Sequence, residues 1–198
     1  FGISVALSQD GNTLAVGAHI EKSNATGING DQSNNSLSQA GAVYVFTRSG
    51  ATWTQQAYVK PLYVGSGDQF GSSLSLAADG NTLAIGAQSE SSTSSGINGD
   101  PTIDTLQGWG AAYIFLRTGT SWAQQTYFKA STPGGGDYFG CSVSLSSDGN
   151  TMAVGALREE SNATGLNGNE SNNGSNDSGA VYLFVQSGST WTQHAYLK

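Results

Sequence analysis

One 69-residue unit occurs three times along this chain, without insertions or deletions between the copies. Three Phe-Gly pairs and three tryptophans share this spacing: Phe1-Gly2, Phe70-Gly71 and Phe139-Gly140, with Trp53, Trp122 and Trp191. A fixed period gives every unit the same path and the same neighbours, which is the signature of a repeat architecture. We therefore divide the chain into repeats 1–69, 70–138 and 139–198, which together make one segment of a larger arrangement.

The first half of each unit predicts a hairpin of two strands. Val5 and Leu7 alternate with small or polar residues, which is typical of a strand with one buried face. Asp10-Gly11 then predicts a tight turn, so that a second strand begins at Thr13. We interpret Asp10, and its counterparts Asp79 and Asp148, as turn residues that satisfy nearby backbone amides.

The second half of each unit predicts two more strands. The third opens at Gly41, and the fourth starts at Thr52 and ends at Lys60, which we expect at an outer, partly wet edge. Because the recurring Trp53, Trp122 and Trp191 keep their places in this fourth strand, we predict that they lie in the core.

Composition supports an all-β chain and excludes some partners. The 28 glycines and only 3 prolines suit short strands joined by turns, so the unit fits a four-stranded propeller blade. A net charge of −7 with scattered Lys and Arg argues against binding nucleic acid. No apolar run approaches the roughly 18 to 20 residues of a membrane span. The chain lacks an initial Met and starts within the repeat pattern, which we interpret as an excerpt of a longer protein.

A 22-residue stretch rich in Ser, Asn and Gly separates strands two and three in every copy, at residues 19–40, 88–109 and 157–178. Glu, Ser, Gly, Asn and Gly recur within it at fixed positions, which a disordered linker would not need. In a four-stranded meander, these long loops share one rim with the connectors that follow strand four. We expect a ligand to bind at this rim.

The repeats resemble the FG-GAP repeat family. The resemblance rests on Phe1-Gly2, on Gly17-Ala18, on the Gly-Ala-Val-Tyr-Val-Phe segment from Gly41 and on the Thr-Trp-Thr-Gln segment from Thr52, each present in three copies. It is nearest to the bacterial-type variant. It implies the β-propeller of the integrin α-subunit head, usually of seven blades, in secreted or surface proteins that bind and adhere. Three blades cannot close such a ring, so either further repeats or other subunits complete it.

The resemblance to integrin-type blades suggests calcium as a cofactor. Integrin-type blades carry an Asp-x-Asp-x-Asp-Gly loop between strands one and two, but here Asp10 is the only carboxylate of that hairpin, too few for the 6 to 8 oxygens that calcium prefers. The long loops offer a second location. Two interpretations of their recurring residues stay open: one calcium site per blade, or Asn-Gly turns with a Glu that caps a local network. The residues concerned are Glu21, Asn29, Asp31, Glu90, Asn98, Asp100, Glu159, Asn167 and Asn169.

Two further features of the loops bear on partners. Trp109 replaces Ala40 and Ser178 just before strand three, which makes it a candidate ligand contact on the rim. In a eukaryotic secretory host, N-glycosylation sequons would be available at Asn24, Asn34, Asn162, Asn169, Asn173 and Asn176.

No catalytic motif accompanies these features. His19 and His194 occupy non-equivalent positions, and we find neither a nucleophile elbow nor a zinc motif. We therefore predict an extracellular or cell-surface binding and adhesion module, not an enzyme, with a glycan or protein ligand. One alternative is a structural protein in which other copies associate through blade edges into a filament or surface layer. A weaker alternative is a glycan-processing propeller enzyme.

Overall fold

Each repeat folds into four antiparallel strands. The computed structural model describes residues 1–103 and 108–198, and these contain twelve strands. The first repeat has β1 (Val5–Leu7), β2 (Thr13–Ala18), β3 (Ala42–Ser49) and β4 (Thr52–Val59). The second has β5 (Phe70–Leu76), β6 (Thr82–Ala87), β7 (Ala111–Thr118) and β8 (Ser121–Phe128). The third has β9 (Phe139–Leu145), β10 (Thr151–Ala156), β11 (Ala180–Ser187) and β12 (Thr190–Leu197).

The strands form three separate sheets, each with its strands paired in chain order. The all-β class is therefore confirmed, and the sheets are consistent with blades of a β-propeller that does not close into a ring in this segment. We number the blades 1 to 3. Within the described residues, no helix is long and apolar enough to cross a membrane.

The Asp-Gly turn between the first two strands forms as predicted. The Asp10 carboxylate accepts a hydrogen bond from the Asn12 backbone amide at 2.9 Å, and β2 begins at Thr13. Asp79 and Asp148 accept the corresponding bonds. In Asp10, these bonds, led by that from the Ser8 hydroxyl, lower the carboxyl pKa to about 2. The interpretation of the three aspartates as turn residues is confirmed.

The Phe-Gly pair joins each blade to the one before it. Phe70 is fully buried, its ring lies 5.2 Å from that of Tyr113, and its backbone amide donates to the Ala40 carbonyl of blade 1 at 3.1 Å. The next residue, Gly71, runs against Gly17 of blade 1, where a Cβ atom on Gly17 would overlap the Gly71 carbonyl oxygen. Glycine is needed at this position because the two backbones touch.

Apolar side chains fill the spaces between blades and form two clusters. We call the face that a blade turns to its predecessor the front face and the opposite one the back face. The front face of blade 2 carries Phe70, Ile85 and Trp122, and it packs on Val43 and Val59 at the back of blade 1. A second cluster joins blades 2 and 3 in the same way. Each blade therefore buries its apolar side chains only against a neighbour.

Within the part of the chain that the structure describes, no blade packs on the front face of blade 1, and two predictions are corrected there. Trp122 and Trp191 are 4% exposed and lie in the core as predicted, whereas Trp53 is 40% exposed. Val5 and Leu7, predicted on a buried face, are exposed as well. The side-chain pattern is the same in every repeat, but burial depends on whether a preceding blade is present.

We expect Phe70→Ala to lower the free energy of unfolding by about 3 to 5 kcal/mol, because it removes a buried aromatic ring between two blades. Phe1→Ala is the matched control, since Phe1 occupies the same position and is 75% exposed. Urea denaturation of both variants measures the difference. Equal losses would contradict the assignment of Phe70 to the contact between blades.

Candidate functional site: the loop-rich rim

The long loops and the connectors lie side by side on one rim, as the strand order requires. The connector at residues 61–69 bonds to the loop of blade 1 through the Gly67 amide and the Ser38 carbonyl, 2.9 Å apart. It also reaches blade 2, where the Ser89 amide donates to the Asp68 carbonyl at 3.3 Å. We call this surface the rim. In the loop of blade 2, residues 104–107 lie outside the described residues.

Each long loop is anchored on the end of its fourth strand. In blade 1 the Asn29 amide donates to the Tyr58 carbonyl at 2.8 Å, and the Asn29 side-chain oxygen accepts from the Tyr58 amide at 2.9 Å. Asn29 holds a φ of 57°, a conformation that Asn adopts more readily than most residues. Asn98 and Asn167 repeat this arrangement. The recurring Asn therefore fixes the loop to the sheet.

A buried ion pair lies under each loop. Lys60 Nζ is 3.0 Å from Glu21 Oε2, Lys129 Nζ is 2.6 Å from Glu90 Oε2, and Lys198 pairs with Glu159. Lys60 is fully buried, so its prediction at a wet outer edge is wrong. The loop folds back over the strand end and covers the lysine, an outcome that strand pattern alone does not reveal.

Lys60 ties three segments together at one point. Its ammonium group also donates to the Ser23 carbonyl in the loop at 2.8 Å and to the Gly41 carbonyl ahead of β3 at 2.6 Å. Burial lowers the pKa of Lys60, and the hydrogen bond and charge of Glu21 oppose that change. The charge is thus accommodated by a carboxylate and two carbonyl oxygens, as a buried ammonium requires.

The candidate calcium ligands make hydrogen bonds and ion pairs within the loops and with the sheet. Glu21 pairs with Lys60, Asn29 bonds the backbone of β4, and Asp31 Oδ1 accepts from the Ser33 amide at 2.8 Å. Asp100 and Asn169 accept the same turn bond in their loops. Among the described residues, no three His, Cys, Asp or Glu side chains form a group that could hold a metal ion.

These contacts explain why the third copy can carry Asn169 in place of an aspartate. The turn needs one side-chain oxygen to accept the backbone amide two residues later, and an amide oxygen serves as well as a carboxylate. In Asp31 and Asp100, this hydrogen bonding lowers the carboxyl pKa. The recurring loop residues therefore each have a role in the folding of the loop.

The remaining candidates also lie on the rim. Trp109 is partly buried, and its carbonyl accepts a bond from the Phe139 amide of blade 3 at 3.3 Å. Of the six sequon asparagines, Asn34 is partly buried and the other five are exposed: Asn24, Asn162, Asn169, Asn173 and Asn176.

A cleft opens where the rims of the three blades meet. It has a volume of about 320 Å³ and is lined by Gln69, Gln88, Ser89, Tyr138, Leu157 and Arg158. We call it the rim cleft. The Arg158 guanidinium lies 5.3 Å from the centre of the Tyr138 ring, within range of a cation–π interaction. Sequence reasoning missed this cleft, because its residues come from connectors and loop starts of different repeats.

Amide side chains continue from the rim cleft along the rim. Gln88 Nε2 donates to Gln69 Oε1 at 2.8 Å, and Gln69 Nε2 contacts Gln39 Oε1 at 3.3 Å. Gln69 and Tyr138 both precede a Phe-Gly pair and hold φ values of 59° and 55°. This left-handed conformation costs roughly 1 to 2 kcal/mol for a residue other than glycine. Gln69 and Tyr138 are thus large side chains in a backbone conformation that favours glycine.

Asp137, beside Tyr138, is a buried carboxyl group. It is 5% exposed, and its Oδ2 accepts the Gly134 amide at 2.7 Å. Burial raises the pKa of Asp137 to about 6, and the charges of Glu159 and Glu160 act in the same direction. The structure therefore favours the protonated form of this carboxyl more than the unfolded chain does.

We expect Glu90→Gln and Lys129→Met each to destabilise the protein by about 3 kcal/mol, because each leaves a buried charge without its partner. The double variant should lose less stability than the two single variants lose together. Urea denaturation of all four proteins measures this coupling. Additive losses would contradict an ion pair that acts as one unit.

We expect the contribution of Asp137 to stability to fall as pH rises from about 4 to about 6, because Asp137 must ionise in a site that disfavours its charge. A raised carboxyl pKa gives stability that is fully present below the unfolded value and is lost as pH passes the folded value. Between these two pH values the free energy of unfolding should change by about 2 kcal/mol because of Asp137, and Asp137→Asn should remove this change. Urea denaturation across this range tests it, and an unchanged pH profile in the variant would contradict the assignment.

The comparisons with known proteins agree with the repeated architecture. Residues 122–184 match the family model of the FG-GAP repeat. They run from Trp122 in β8 through β9 and β10 to Phe184 in β11, so the match joins the last strand of one blade to the first three of the next. None of the curated proteins compared with the chain matches it. The chain therefore carries an FG-GAP repeat, as the resemblance of its sequence predicted.

Proposed function

We propose that this chain is an extracellular binding and adhesion module, and that its ligand is a glycan held in the rim cleft. The observation that carries the proposal is the rim cleft itself, where side chains from three blades converge on one cavity. FG-GAP repeats typically occur in extracellular ligand-binding proteins, which supports both the location and the class of function.

The chemistry of the rim cleft suits a sugar. Gln69, Gln88 and Ser89 supply amide and hydroxyl groups that donate and accept hydrogen bonds, as sugar hydroxyls do. Tyr138 adds an aromatic surface with a polar end, and Arg158 adds a cation that could pair with an acidic sugar. A few polar groups around an aromatic surface are typical of a site that orients a small polar ligand.

The scaffold under the cleft suits binding as well. The buried Glu–Lys pairs and the Asn contacts hold each long loop against its sheet, so the rim is ordered before a ligand arrives. Preorganised loops lower the conformational entropy that binding must overcome. We propose no catalytic step, since the side chains of the cleft are those of recognition.

We expect Tyr138→Asn to weaken glycan binding about tenfold or more, because it removes the aromatic side chain from the lining of the rim cleft. Asn adopts the left-handed conformation of this position readily, so the backbone should keep its path. Tyr63→Ala is the control: Tyr63 lies on the equivalent connector, is 53% exposed and lines a separate cavity.

Screening against a glycan array, followed by titration of any sugar that binds, provides the measurement. Equal affinities of the Tyr138 and Tyr63 variants would place the ligand elsewhere. Binding to a protein without any glycan signal would replace the sugar by a protein ligand, and release of shortened sugars would favour the enzyme alternative. Trp109→Ala with unchanged affinity would remove Trp109 from the ligand surface.

A further inference from the structure

A smaller cavity lies beside the rim cleft and shares two of its side chains. It has a volume of about 180 Å³ and is lined by Ser66, Gly67, Ser89, Ser91, Gly108 and Tyr138. Ser89 and Tyr138 also line the rim cleft. We call the smaller space the second cavity. Because the two cavities meet at Ser89 and Tyr138, they make one groove along the rim.

A change of side chains from one repeat to the next opens this groove. Between blades 1 and 2, three amide side chains are joined by hydrogen bonds: Gln39, Gln69 and Gln88. One repeat later, the same positions hold Gly108, Tyr138 and Leu157. Since Gly108 has no side chain, the space beside the Tyr138 ring stays open as the second cavity.

The Tyr138 ring is held from two sides. A Cβ atom on Gly108 would lie 3.3 Å from Tyr138 Cε1, so the ring edge packs closely on the Gly108 backbone. The Arg158 guanidinium lies 5.3 Å from the centre of the same ring. The groove therefore contains an aromatic surface with a positive charge fixed beside it.

Of the described residues that line the rim cleft, Arg158 alone carries a charge. Its counterpart one repeat earlier is Ser89, so this charge is specific to the junction of blades 2 and 3. A guanidinium presents N–H donors in a planar fork and binds a carboxylate or a comparable oxyanion through two parallel hydrogen bonds. The groove thus offers an anion one well-defined partner.

Within the chain, Arg158 has only a weak anionic partner among the described residues. Asp177 Oδ1 lies 3.7 Å from Arg158 Nε, and the two side chains are 66% and 54% exposed. An exposed ion pair with this geometry contributes little to stability. A ligand carboxylate that meets the guanidinium through two hydrogen bonds can therefore displace Asp177 at low cost.

The net charge of −7 opposes an anionic ligand only weakly. At physiological ionic strength, exposed charges farther apart than about 8 Å are largely screened from each other. Long-range repulsion acts mainly on the rate of encounter, whereas the contact made in the groove determines how long the ligand stays. The local charge of Arg158 therefore outweighs the overall charge of the chain.

We propose that the ligand is an acidic oligosaccharide that lies across Tyr138, with its negative group on Arg158 in the rim cleft and the adjoining sugar in the second cavity. This inference rests on the proposed glycan function and deepens it, because it names the class of sugar and a length of at least two units. The Tyr138 ring packs on the ligand where the two sugars join. Ser66, Ser89 and Ser91 surround the second sugar with hydroxyl groups, which donate and accept hydrogen bonds as sugar hydroxyls do.

Titration with matched pairs of acidic and neutral oligosaccharides tests the charge. The acidic probes are uronic, sialylated and sulfated oligosaccharides, and their neutral partners are the methyl-esterified, desialylated and desulfated forms. We expect one kind of acidic probe to bind about tenfold or more tightly than its neutral partner. The kind that binds shows whether the negative group is a carboxylate or a sulfate.

Two variants at the ion pair sharpen this test, and both change exposed side chains. Arg158→Gln should bring the ratio of acidic to neutral affinity close to one. Asp177→Asn should raise the affinity for the acidic probe about twofold or more, because it removes the competing carboxylate. Asn suits the φ of 52° at this position, so the backbone should keep its path.

Comparison of the acidic disaccharide with its monosaccharide tests the second cavity. We expect the disaccharide to bind the wild-type chain about tenfold more tightly. Ser66→Trp should abolish this gain, because the exposed Ser66 lies at the second cavity and the larger side chain blocks it. Leu62→Trp is the control: Leu62 is 57% exposed on the same connector and is not among the described residues that line either cavity.

The outcomes separate this inference from the function on which it rests. Binding of neutral glycans as tight as that of acidic ones, or an Arg158→Gln variant with the wild-type ratio, would overturn the acidic ligand and leave the glycan function standing. Equal affinities for the disaccharide and the monosaccharide, or a Ser66→Trp variant that binds like Leu62→Trp, would overturn the second sugar position. Absence of binding to every glycan would overturn both proposals.

Discussion

The structure depends on the contact that each blade makes with the next. A single four-stranded blade places apolar side chains on both faces and covers neither. The Phe-Gly pair packs the first strand of a blade on the preceding blade. Phe70 is buried between the two blades, and Gly71 lies against Gly17 of the preceding blade. In such an array, stability is the sum of the blades and of the interfaces between neighbours. Among the described residues, blade 2 has an interface on each of its faces.

The buried Glu–Lys pairs extend this regularity to the rim. Each pair connects the start of a long loop to the end of the fourth strand, so 22 residues of polar sequence return to the same place in every blade. A buried pair of this kind is weak evidence for added stability, but it penalises arrangements that separate the two charges. It therefore specifies the path of the loops and, through them, the position of Gln88 and Arg158 around the rim cleft.

The sequence was enough to predict most of the fold but little of the site. The period of 69 residues, the turn at Asp10 and the start of β2 at Thr13 follow from local pattern, and the structure agrees with them. The burial of Lys60 could have been inferred, since a Glu and a Lys of opposite charge recur at fixed separation. The exposure of Trp53 could not, because the residue is the same as in the other repeats and only its neighbour differs. The rim cleft joins residues of three repeats, and no local signal links them.

Amide hydrogen exchange, resolved by blade, tests the dependence of each blade on its neighbours most directly. Blade 2 is covered on both faces, so the amides of β6 and β7 should exchange most slowly, through opening of the whole stack. The corresponding strands β2 and β3 of blade 1, and β10 and β11 of blade 3, should exchange faster, because each of those blades opens by breaking one interface. Equal protection in the three blades would show that each is stable by itself and would contradict the account.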